Sequence, residues 1–411
     1  MGNPLFLQPG HQVTSENRYL FRSPLLDPKQ QVLGYKLAWQ QGQDSTRQPP
    51  GDVVPLLSLV AEGVRDLKTG LVFMDASAVA LTDETLQGLS PATTVLVLTR
   101  NDLDSAGRPC GVQALRERGF GVAVRDIDLA FLKTSSALLS RVSHVAIDFD
   151  HPDLQAICSY AGDARSRLTV AVEGIRSWQE FDTCAALGAS GFFGDICLAP
   201  RPVKATAKLG PQALQILQLM QMVQGNADIR HVEKVLKSDL TLSYKLLRYI
   251  NSAGFGLEVE IESPRHAVAM LGYAPLFRWL LLLLARTNTS GFSPALMQAA
   301  MIRGRFAELL GQGALSRREA ENLFVVGMFS FLDRLLGIPV QEVLGQLELP
   351  KPVSEALTSR EGVYEPILAL AESTEREDGC AQALAQALSM TAPQVNKAHL
   401  AALAWAQSIK L

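Results

Sequence analysis

The first two hundred residues alternate short apolar runs with helical patterns, and this alternation limits the fold more than any other feature. Repeated strand-then-helix units favour a parallel sheet. Seven or eight such units favour a closed (β/α) barrel, with its chemistry at the C-terminal ends of the strands. The candidate strands in these units are Leu71–Asp75, Thr94–Thr99, Gly121–Val124, His144–Asp148, Leu168–Glu173 and Gly191–Phe193.

An additional pair of strands precedes these units, within residues 18–40. Asp27 and Pro28 predict a turn between them, because Pro presets φ and the Asp side chain caps the turn. In the second strand both faces are largely apolar, as expected for a strand packed on both sides. Lys36 is the exception, a single cation near the C-terminal end of that strand.

The second half of the chain contains helix signals without strand signals. The Pro-rich segment 198–204 marks a boundary. Ser, Asp or Asn then stands before several apolar-periodic runs, often with Pro in the first turn, as helix starts favour. The fold class predicted is therefore α/β plus all-α: a TIM-like (β/α) barrel in residues 1–203 and a helical domain in residues 204–411. The apolar run Leu280–Leu284 is expected in the core, with a dimer or partner face as the alternative.

Composition excludes several classes of function. The formal net charge of −3 gives no general attraction to nucleic acid or to an anionic membrane. The five cysteines are scattered, with no CxxC pair, which fits a reducing cytoplasm without structural zinc. We expect no signal peptide and no membrane span, because the longest apolar run is far shorter than the ~20 residues a span needs.

Several short motifs in the first half resemble EAL domains, the bacterial cyclic di-GMP phosphodiesterases. Arg22-Ser-Pro-Leu-Leu-Asp27 and Gly34-Tyr-Lys36-Leu match the opening frame of that family. The resemblance continues through Phe73-Met-Asp75-Ala-Ser, Leu96-Val97-Leu-Thr-Arg100, Val124-Arg125-Asp-Ile, Val145-Ala146-Ile-Asp148, Val172-Glu173-Gly-Ile-Arg176 and Phe193-Gly194.

At most of these motifs the residue that the family uses for metal binding or catalysis is replaced. The resemblance aligns the following residues of this chain with different residues of the family: Lys36 with the metal-binding Glu, Gln40 with an Arg, Asp75 with an Asn, Val97 with a Glu, Arg125 with a metal-bridging Asp, Ala146 with a Lys, Arg176 with a second Glu, and Phe193 with a Gln. A two-metal hydrolase needs oxygen ligands for hard cations. The sequence therefore predicts no bound metal, no cofactor and a catalytically inactive homologue. Asp75, Asp148 and Glu173 are expected to pair with Lys36 and Arg125; the alternative is that the three carboxylates hold one weak cation.

The second half resembles HDOD domains. Asp239, Asn251, Ser252 and Gly254 match the first block of that family, and Leu271-Gly272 matches the end of the second. No His-Asp dipeptide occurs, so the metal pair of related HD-type phosphohydrolases is not expected. Asn251 is expected to end a helix and to hydrogen-bond the following turn, and Asp333 to pair with Arg334 or Arg303.

Three functions remain open on these grounds. The first is a non-catalytic signalling adaptor that acts through other signalling proteins. The second is a sensor that binds cyclic di-GMP without hydrolysis, and the third is a residual phosphodiesterase. The resemblance further implies a homodimer through the barrel, and an association with bacterial motility and biofilm growth. The missing ligand residues favour the adaptor.

Overall fold

The computed structural model describes residues 17–40, 53–63, 70–103, 111–135, 140–162, 168–199, 201, 210–238, 240–251, 261, 263, 265–266, 269, 272–287, 293–347, 349–376 and 380–409. Within these ranges no helix is long and apolar enough to cross a membrane.

Eight strands close into a barrel in the order in which they occur along the chain. β2 to β8 run parallel, which confirms the predicted (β/α) units, whereas β1 runs antiparallel to both of its neighbours. The antiparallel start follows from the hairpin: Asp27 accepts from the backbone N–H groups of Lys29 and Gln31, which fixes the predicted turn. The strands are β1 Leu20–Leu26, β2 Val32–Trp39, β3 Leu71–Asp75, β4 Thr94–Thr99, β5 Gly121–Arg125, β6 His144–Asp148, β7 Thr169–Glu173 and β8 Gly191–Phe193.

The interior of the barrel is filled by a small apolar cluster of its own. Phe73 and Phe193 meet there edge to face, with ring centroids 5.2 Å apart. Gly34 is required on β2, because a Cβ at this position would lie 2.1 Å from the carbonyl oxygen of Leu71. Side chains alternate along each strand, so the residue two positions after an interior one also points inward, at the C-terminal end of the strand. Hereafter this end of the barrel is called the mouth.

Short helices connect the strands on the outside of the barrel, as the predicted alternation requires. They are α1 Val53–Gly63, α2 Asp83–Leu86, α3 Arg100–Leu103, α4 Val112–Glu117, α5 Leu129–Thr134, α6 Leu154–Ala161 and α7 Trp178–Ala186, followed by a single 3-10 turn at Ile196–Leu198. Thr82, Asp128 and Ser177 each accept a hydrogen bond from the third residue of the helix that follows, which is the usual N-cap arrangement.

The described residues beyond 209 are helical, which confirms the all-α prediction for this half. The helices are α8 Pro211–Gln224, α9 Ile229–Ser238, α10 Leu240–Ile250, α11 Tyr273–Ala285, α12 Pro294–Gly311, α13 Arg317–Phe329, α14 Leu332–Leu336, α15 Val340–Leu344, α16 Lys351–Thr358, α17 Glu365–Ser373, α18 Ala381–Ala387 and α19 Ala392–Ser408. The run Leu280–Leu284 is buried, as expected of a core segment.

The helix pair α12 and α13 packs closely at two glycines. A Cβ on Gly327 would lie 2.6 Å from the Cα of Gly304, so neither position has room for a side chain. This close contact holds α12, which carries Arg303, Arg305 and Glu308, directly against α13.

The outer face of the barrel and the helical half share one apolar core. The same cluster of buried side chains contains Leu20 and Trp39 of the hairpin and Leu400 and Leu403 of α19. Gly63, at the end of α1, comes so close to α19 that a Cβ would lie 2.5 Å from Cδ1 of Leu400. The two halves are therefore packed against each other through residues far apart in sequence, and the predicted division after residue 203 stays a prediction.

Candidate functional site

Four charged side chains from four strands meet at the mouth of the barrel. Nζ of Lys36 donates to Oε1 of Glu173 at 2.8 Å and lies 3.5 Å from Oδ2 of Asp75. An NH1 nitrogen of Arg125 lies 3.5 Å from the same Asp75 oxygen. We call Lys36, Asp75, Arg125 and Glu173 the mouth cluster. It contains two cations and two anions, and its formal charge is therefore zero.

Lys36 is the most enclosed member of the mouth cluster. Its side chain is 15% exposed, against 30% for Asp75 and 22% for Glu173. Burial lowers the pKa of Lys36, but the carboxylates of Glu173 and Asp75 outweigh burial, and the net pKa is above the ordinary value. Lys36 thus stays protonated at neutral pH, and both carboxylates face a permanent positive charge.

Two polar atoms of the mouth cluster are buried without a hydrogen-bond partner, Oδ1 of Asp75 and Nε of Arg125. Oδ2 of Asp126 lies 3.9 Å from Nε of Arg125, which is too long for a hydrogen bond. Asp126 itself has φ 58°, a left-handed backbone that Asp tolerates better than most residues. The cluster is thus neutral in charge but incompletely satisfied in hydrogen bonding.

The other positions singled out in the first half divide into two groups. Val97, Ala146 and Phe193 point into the barrel and are buried apolar residues of its interior cluster. Gln40 and Arg176 are not brought into the mouth cluster. The amide of Gln40 donates instead to the backbone carbonyls of Ser373 and Arg376, and Arg176 is exposed.

A pair of metal ions does not fit the residues present at this mouth. Hard divalent cations need several oxygen ligands each, chiefly carboxylates. The carboxylates of Asp75 and Glu173 both face Lys36, and Val97 and Ala146 offer no ligand atoms. Asp148, the third expected carboxylate, is exposed at the end of β6. Within the described ranges, no three His, Cys, Asp or Glu side chains are grouped closely enough to hold a metal ion.

The HDOD-type residues can be followed at two positions, because Asp239, Ser252, Gly254 and Leu271 lie outside the described residues. Asn251 follows the last residue of α10, and both ends of its amide bind the backbone of Ile261. Its Nδ2 donates to the Ile261 carbonyl at 2.9 Å, and its Oδ1 accepts from the Ile261 N–H at 2.8 Å. Gly272 precedes α11 with φ 80°, a conformation that favours glycine.

A buried polar network between the two halves was not predicted from the sequence. Arg22 of β1 donates to Oε1 of Glu375 at 3.0 Å, and Arg303 of α12 donates to the same oxygen at 3.1 Å. The NH1 nitrogen of Arg22 also lies 2.6 Å from Nε2 of His399. We call Arg22, Arg303, Glu375 and His399 the interdomain network; each of the four is at most 5% exposed.

The protonation states in the interdomain network follow from its contacts. Arginine has no acceptor, so Nε2 of His399 must accept and the ring proton sits on Nδ1. Burial, helped by the Arg22 charge, holds the pKa of His399 well below its usual range. Burial raises the pKa of Glu375, but Arg303 and Arg22 outweigh it and the net pKa is lowered. Both Arg residues therefore face an ionised carboxylate, and Arg22 also faces a neutral imidazole.

One predicted ion pair is wrong. Asp333 was expected to pair with Arg334 or Arg303. Arg303 instead binds Glu375, Glu372 and Ser330, while Arg334 donates to the backbone carbonyl of Leu198 at 2.8 Å. Asp333 is exposed at the first turn of α14, where its charge is solvated. Local spacing suggested its partners, but buried carboxylates from α17 and the turn after it compete better for Arg303.

Comparison with known proteins finds a family match in the helical half and two relatives along most of the chain. Residues 209–337 match the HDOD domain family. Cyclic di-GMP phosphodiesterase CdgJ of Vibrio cholerae is 27% identical over 381 residues, which is 89% of this chain and 86% of that protein. The uncharacterized protein YuxH of Bacillus subtilis is 23% identical over 411 residues, covering 95% of this chain and 98% of YuxH.

Among solved structures, the phosphodiesterase PaMucR in complex with c-di-GMP is 17% identical and covers 43% of this chain and 89% of that one, with a TM-score of 0.34. The barrel assignment itself rests on the strand pairing described above.

The relationship to CdgJ overturns the expectation that the chain is a catalytically inactive homologue. A relative that matches most of the length of this chain is named as a phosphodiesterase. Replacement of ligand-type residues at the mouth therefore does not by itself establish that the reaction is absent. The chain has a closed eight-stranded barrel, followed by a helical half in which residues 209–337 match the HDOD domain family.

Proposed function

We propose that this chain is a regulatory protein of cyclic di-GMP signalling whose output is carried by contacts with other signalling proteins. The proposal draws its pathway from the HDOD match and from CdgJ, which is named for its action on cyclic di-GMP. The single observation that supports an output through protein contacts is the mouth cluster, in which Lys36 and Arg125 pair with the carboxylates.

The mouth cluster supports this mode of action through its charge balance. Lys36 and Arg125 each place a positive charge beside a carboxylate at the end of the barrel where this fold carries its chemistry. At ~4 Å and an effective dielectric near 20, a pair of unit charges interacts by roughly 4 kcal/mol. A divalent cation entering here meets repulsion from both residues, so the mouth is better suited to holding the barrel together than to holding metal ions.

The interdomain network supports a role for the two halves acting as one body. Arg22 of the barrel and Arg303 of the helical half share the carboxylate of Glu375, and all three are buried. A partner that binds one half would thus contact a surface whose geometry depends on the other. Which proteins are the partners, and whether a second copy is among them, stays a prediction.

Hydrolysis of cyclic di-GMP is the second candidate function, and the name of CdgJ favours it. The two candidates differ in what they require of Glu173. Hydrolysis at the mouth needs this carboxylate as a ligand or a base, whereas a contact-borne output needs only the folded surface.

The experiment is complementation in the native host, after deletion of the gene, with Glu173→Gln and with a control variant, Glu84→Gln, at the exposed helix α2. Cellular cyclic di-GMP and a cyclic di-GMP-controlled output are measured at matched protein levels. The proposal expects both variants to restore the output without changing the nucleotide level. Loss of complementation by Glu173→Gln alone, with a rise in cyclic di-GMP, supports the second candidate. A deletion that alters no cyclic di-GMP-controlled output contradicts both.

A further inference from the structure

A cavity of about 520 Å³ lies on the helical half, between the start of α11, the end of α12 and the start of α13. Its size is in the range of small-molecule sites. It lies on different elements from the mouth cluster, and it shares only helix α12 with the interdomain network, through residues other than Arg303. Its floor is formed by Arg278 of α11 with Arg305 and Glu308 of α12, which we call the Arg–Glu–Arg triad.

The Arg–Glu–Arg triad has one more positive charge than negative charge. The side chain of Glu308 is 5% exposed and accepts from both terminal nitrogens of the Arg278 guanidinium group, NH1 at 3.2 Å and NH2. It also accepts from NH1 of Arg305 at 2.7 Å. Two guanidinium groups thus share one carboxylate, and their side chains are only 16% and 25% exposed. An excess cation at this depth is costly unless an anion accompanies it.

The rim of the cavity does not supply that anion. Arg317 and Glu321 of α13 also line the cavity, but they pair with each other at 3.2 Å. The charged residues that line the cavity are therefore three arginines and two glutamates, which leaves a formal charge of +1.

Two further features point the same way. Nε of Arg305 is buried and has no hydrogen-bond partner, so one donor of the triad is unused. Ala274 and Pro275, in the first turn of α11, line the cavity, and Gly272 at the N-cap of that helix supplies no side-chain cap. The positive end of the helix dipole thus adds to the charge of the arginines.

An adjoining cavity of about 250 Å³ shares Ala274, Arg278 and Glu321 with the first and is bordered by Tyr273, Phe277 and Val325. It offers an apolar and aromatic wall next to the charged floor. A ligand that occupies both cavities would combine an anionic group with a small flat or apolar body.

We propose that this pair of cavities binds a small organic oxyanion, with its carboxylate or phosphate group on the Arg–Glu–Arg triad and its apolar body against Phe277 and Val325. Guanidinium groups bind both kinds of oxyanion through paired N–H donors. The proposal does not depend on the function proposed for the barrel.

The test is calorimetric titration of the full chain with phenyl phosphate, benzoate and inorganic phosphate, at constant ionic strength. We expect phenyl phosphate or benzoate to bind, and inorganic phosphate to bind more weakly because it lacks the apolar body. Phenyl phosphate and benzoate distinguish a phosphate ester from a carboxylate as the natural ligand. Arg305→Gln removes the excess charge while Arg278 still pairs with Glu308, and it is expected to weaken binding at least tenfold. Arg118→Gln, at an exposed ion pair on the barrel, is the control and leaves binding unchanged.

A second pair of variants keeps the test independent of the folding of Arg305→Gln. Gln312 lines the cavity and is exposed, so a charge at this position is tolerated. Gln312→Lys is expected to tighten binding and Gln312→Glu to weaken it, each by roughly threefold to tenfold at low salt. The proposal is overturned if neither organic probe binds the unmodified chain at 10 mM, if Arg305→Gln binds as well as the unmodified chain, or if the two Gln312 variants shift the affinity in the same direction.

Discussion

Lys36 and Glu173, on β2 and β7, meet across the barrel mouth with 2.8 Å between Nζ and Oε1. The pair joins strands that are not neighbours in the sheet. Together with Arg125 and Asp75 it closes the mouth with internal ion pairs. An arrangement of this kind resists spreading of the barrel and gives the four side chains a formal net charge of zero.

Replacement of Glu173 by Gln should destabilise the fold, because it leaves the enclosed ammonium of Lys36 with Asp75 as its remaining anionic partner. We expect a loss of about 1–2 kcal/mol in the free energy of unfolding, below the range for fully buried pairs because both side chains are partly exposed. Urea denaturation measures it. Asp83→Asn, which breaks an exposed ion pair with Arg118, is the control and should cost less than about 0.5 kcal/mol. Equal effects of the two substitutions would show that the mouth pair has no special role.

The interdomain network should be far more sensitive to substitution than the mouth. Glu375→Gln leaves the buried guanidinium group of Arg22 without a counter-charge and leaves Arg303 with Glu372 alone, at an expected cost of about 3–5 kcal/mol. Urea unfolding, followed by circular dichroism, measures the loss. Glu361→Gln, at an exposed position of the same half, should be close to neutral. A loss below about 1 kcal/mol for Glu375→Gln would mean that the network does not hold the halves together.

Stability should fall as the pH falls below about 6.5. Burial lowers the pKa of His144 to about 4 and that of His399 well below its usual range. Because the unfolded chain takes up these protons near pH 6.5 and the folded chain does not, each histidine favours unfolding on the acid side, by about 1.4 kcal/mol between pH 7.5 and 5.5. Denaturation at the two pH values measures this difference.

Substitution separates the contribution of His399 from the rest. His399→Gln keeps an acceptor for Arg22 and should remove about half of the pH dependence that the two buried histidines produce. His231→Gln, at an exposed position, should leave the pH dependence unchanged. An undiminished pH dependence in His399→Gln would contradict the neutral state assigned to this imidazole.

The amide of Asn251 should hold the segment that follows α10 through its two hydrogen bonds to Ile261. Asn251→Ala removes both and is expected to cost about 1–3 kcal/mol, since the backbone groups of Ile261 lose their partner. Hydrogen exchange at the Ile261 amide measures it directly. Asn251→Asp keeps the acceptor and should preserve protection of the Ile261 amide. If this amide exchanges as slowly in Asn251→Ala as in the unmodified chain, the Asn251 side chain does not hold Ile261 in place.

The sequence was most informative where local chemistry decides the structure. The Asp27-Pro28 turn, the strands that end on Asp75 and Glu173, and the helical second half follow from turn residues and from periodicity. The pairing of Lys36 with these carboxylates also follows, since consecutive strands of a barrel end on the same rim.

What the sequence missed depends on contacts between distant residues. Arg22 and His399 are 377 positions apart, and no local pattern links them. Arg22 is part of the opening motif of the first half, and the sequence around His399 carries no motif that would connect the two. The pairing predicted for Asp333 failed for the same reason, because it considered neighbours in sequence and along a helix. The prediction of a catalytically inactive homologue is overturned by the relative CdgJ, which is named as a phosphodiesterase. The prediction used only the replaced residues at the barrel mouth, and replaced residues at one site do not establish that the reaction is absent.

The most direct test of the central claim is a titration of the full chain with Mn²⁺, followed by electron paramagnetic resonance. The claim is that Lys36 and Arg125 already neutralise the carboxylates of the mouth. We therefore predict no Mn²⁺ bound at the mouth with a Kd below the order of 1 mM, and a gain of binding in the double variant Lys36→Glu with Arg125→Asp. Binding of two Mn²⁺ ions at micromolar affinity by the unmodified chain, abolished by Glu173→Gln, would contradict the account.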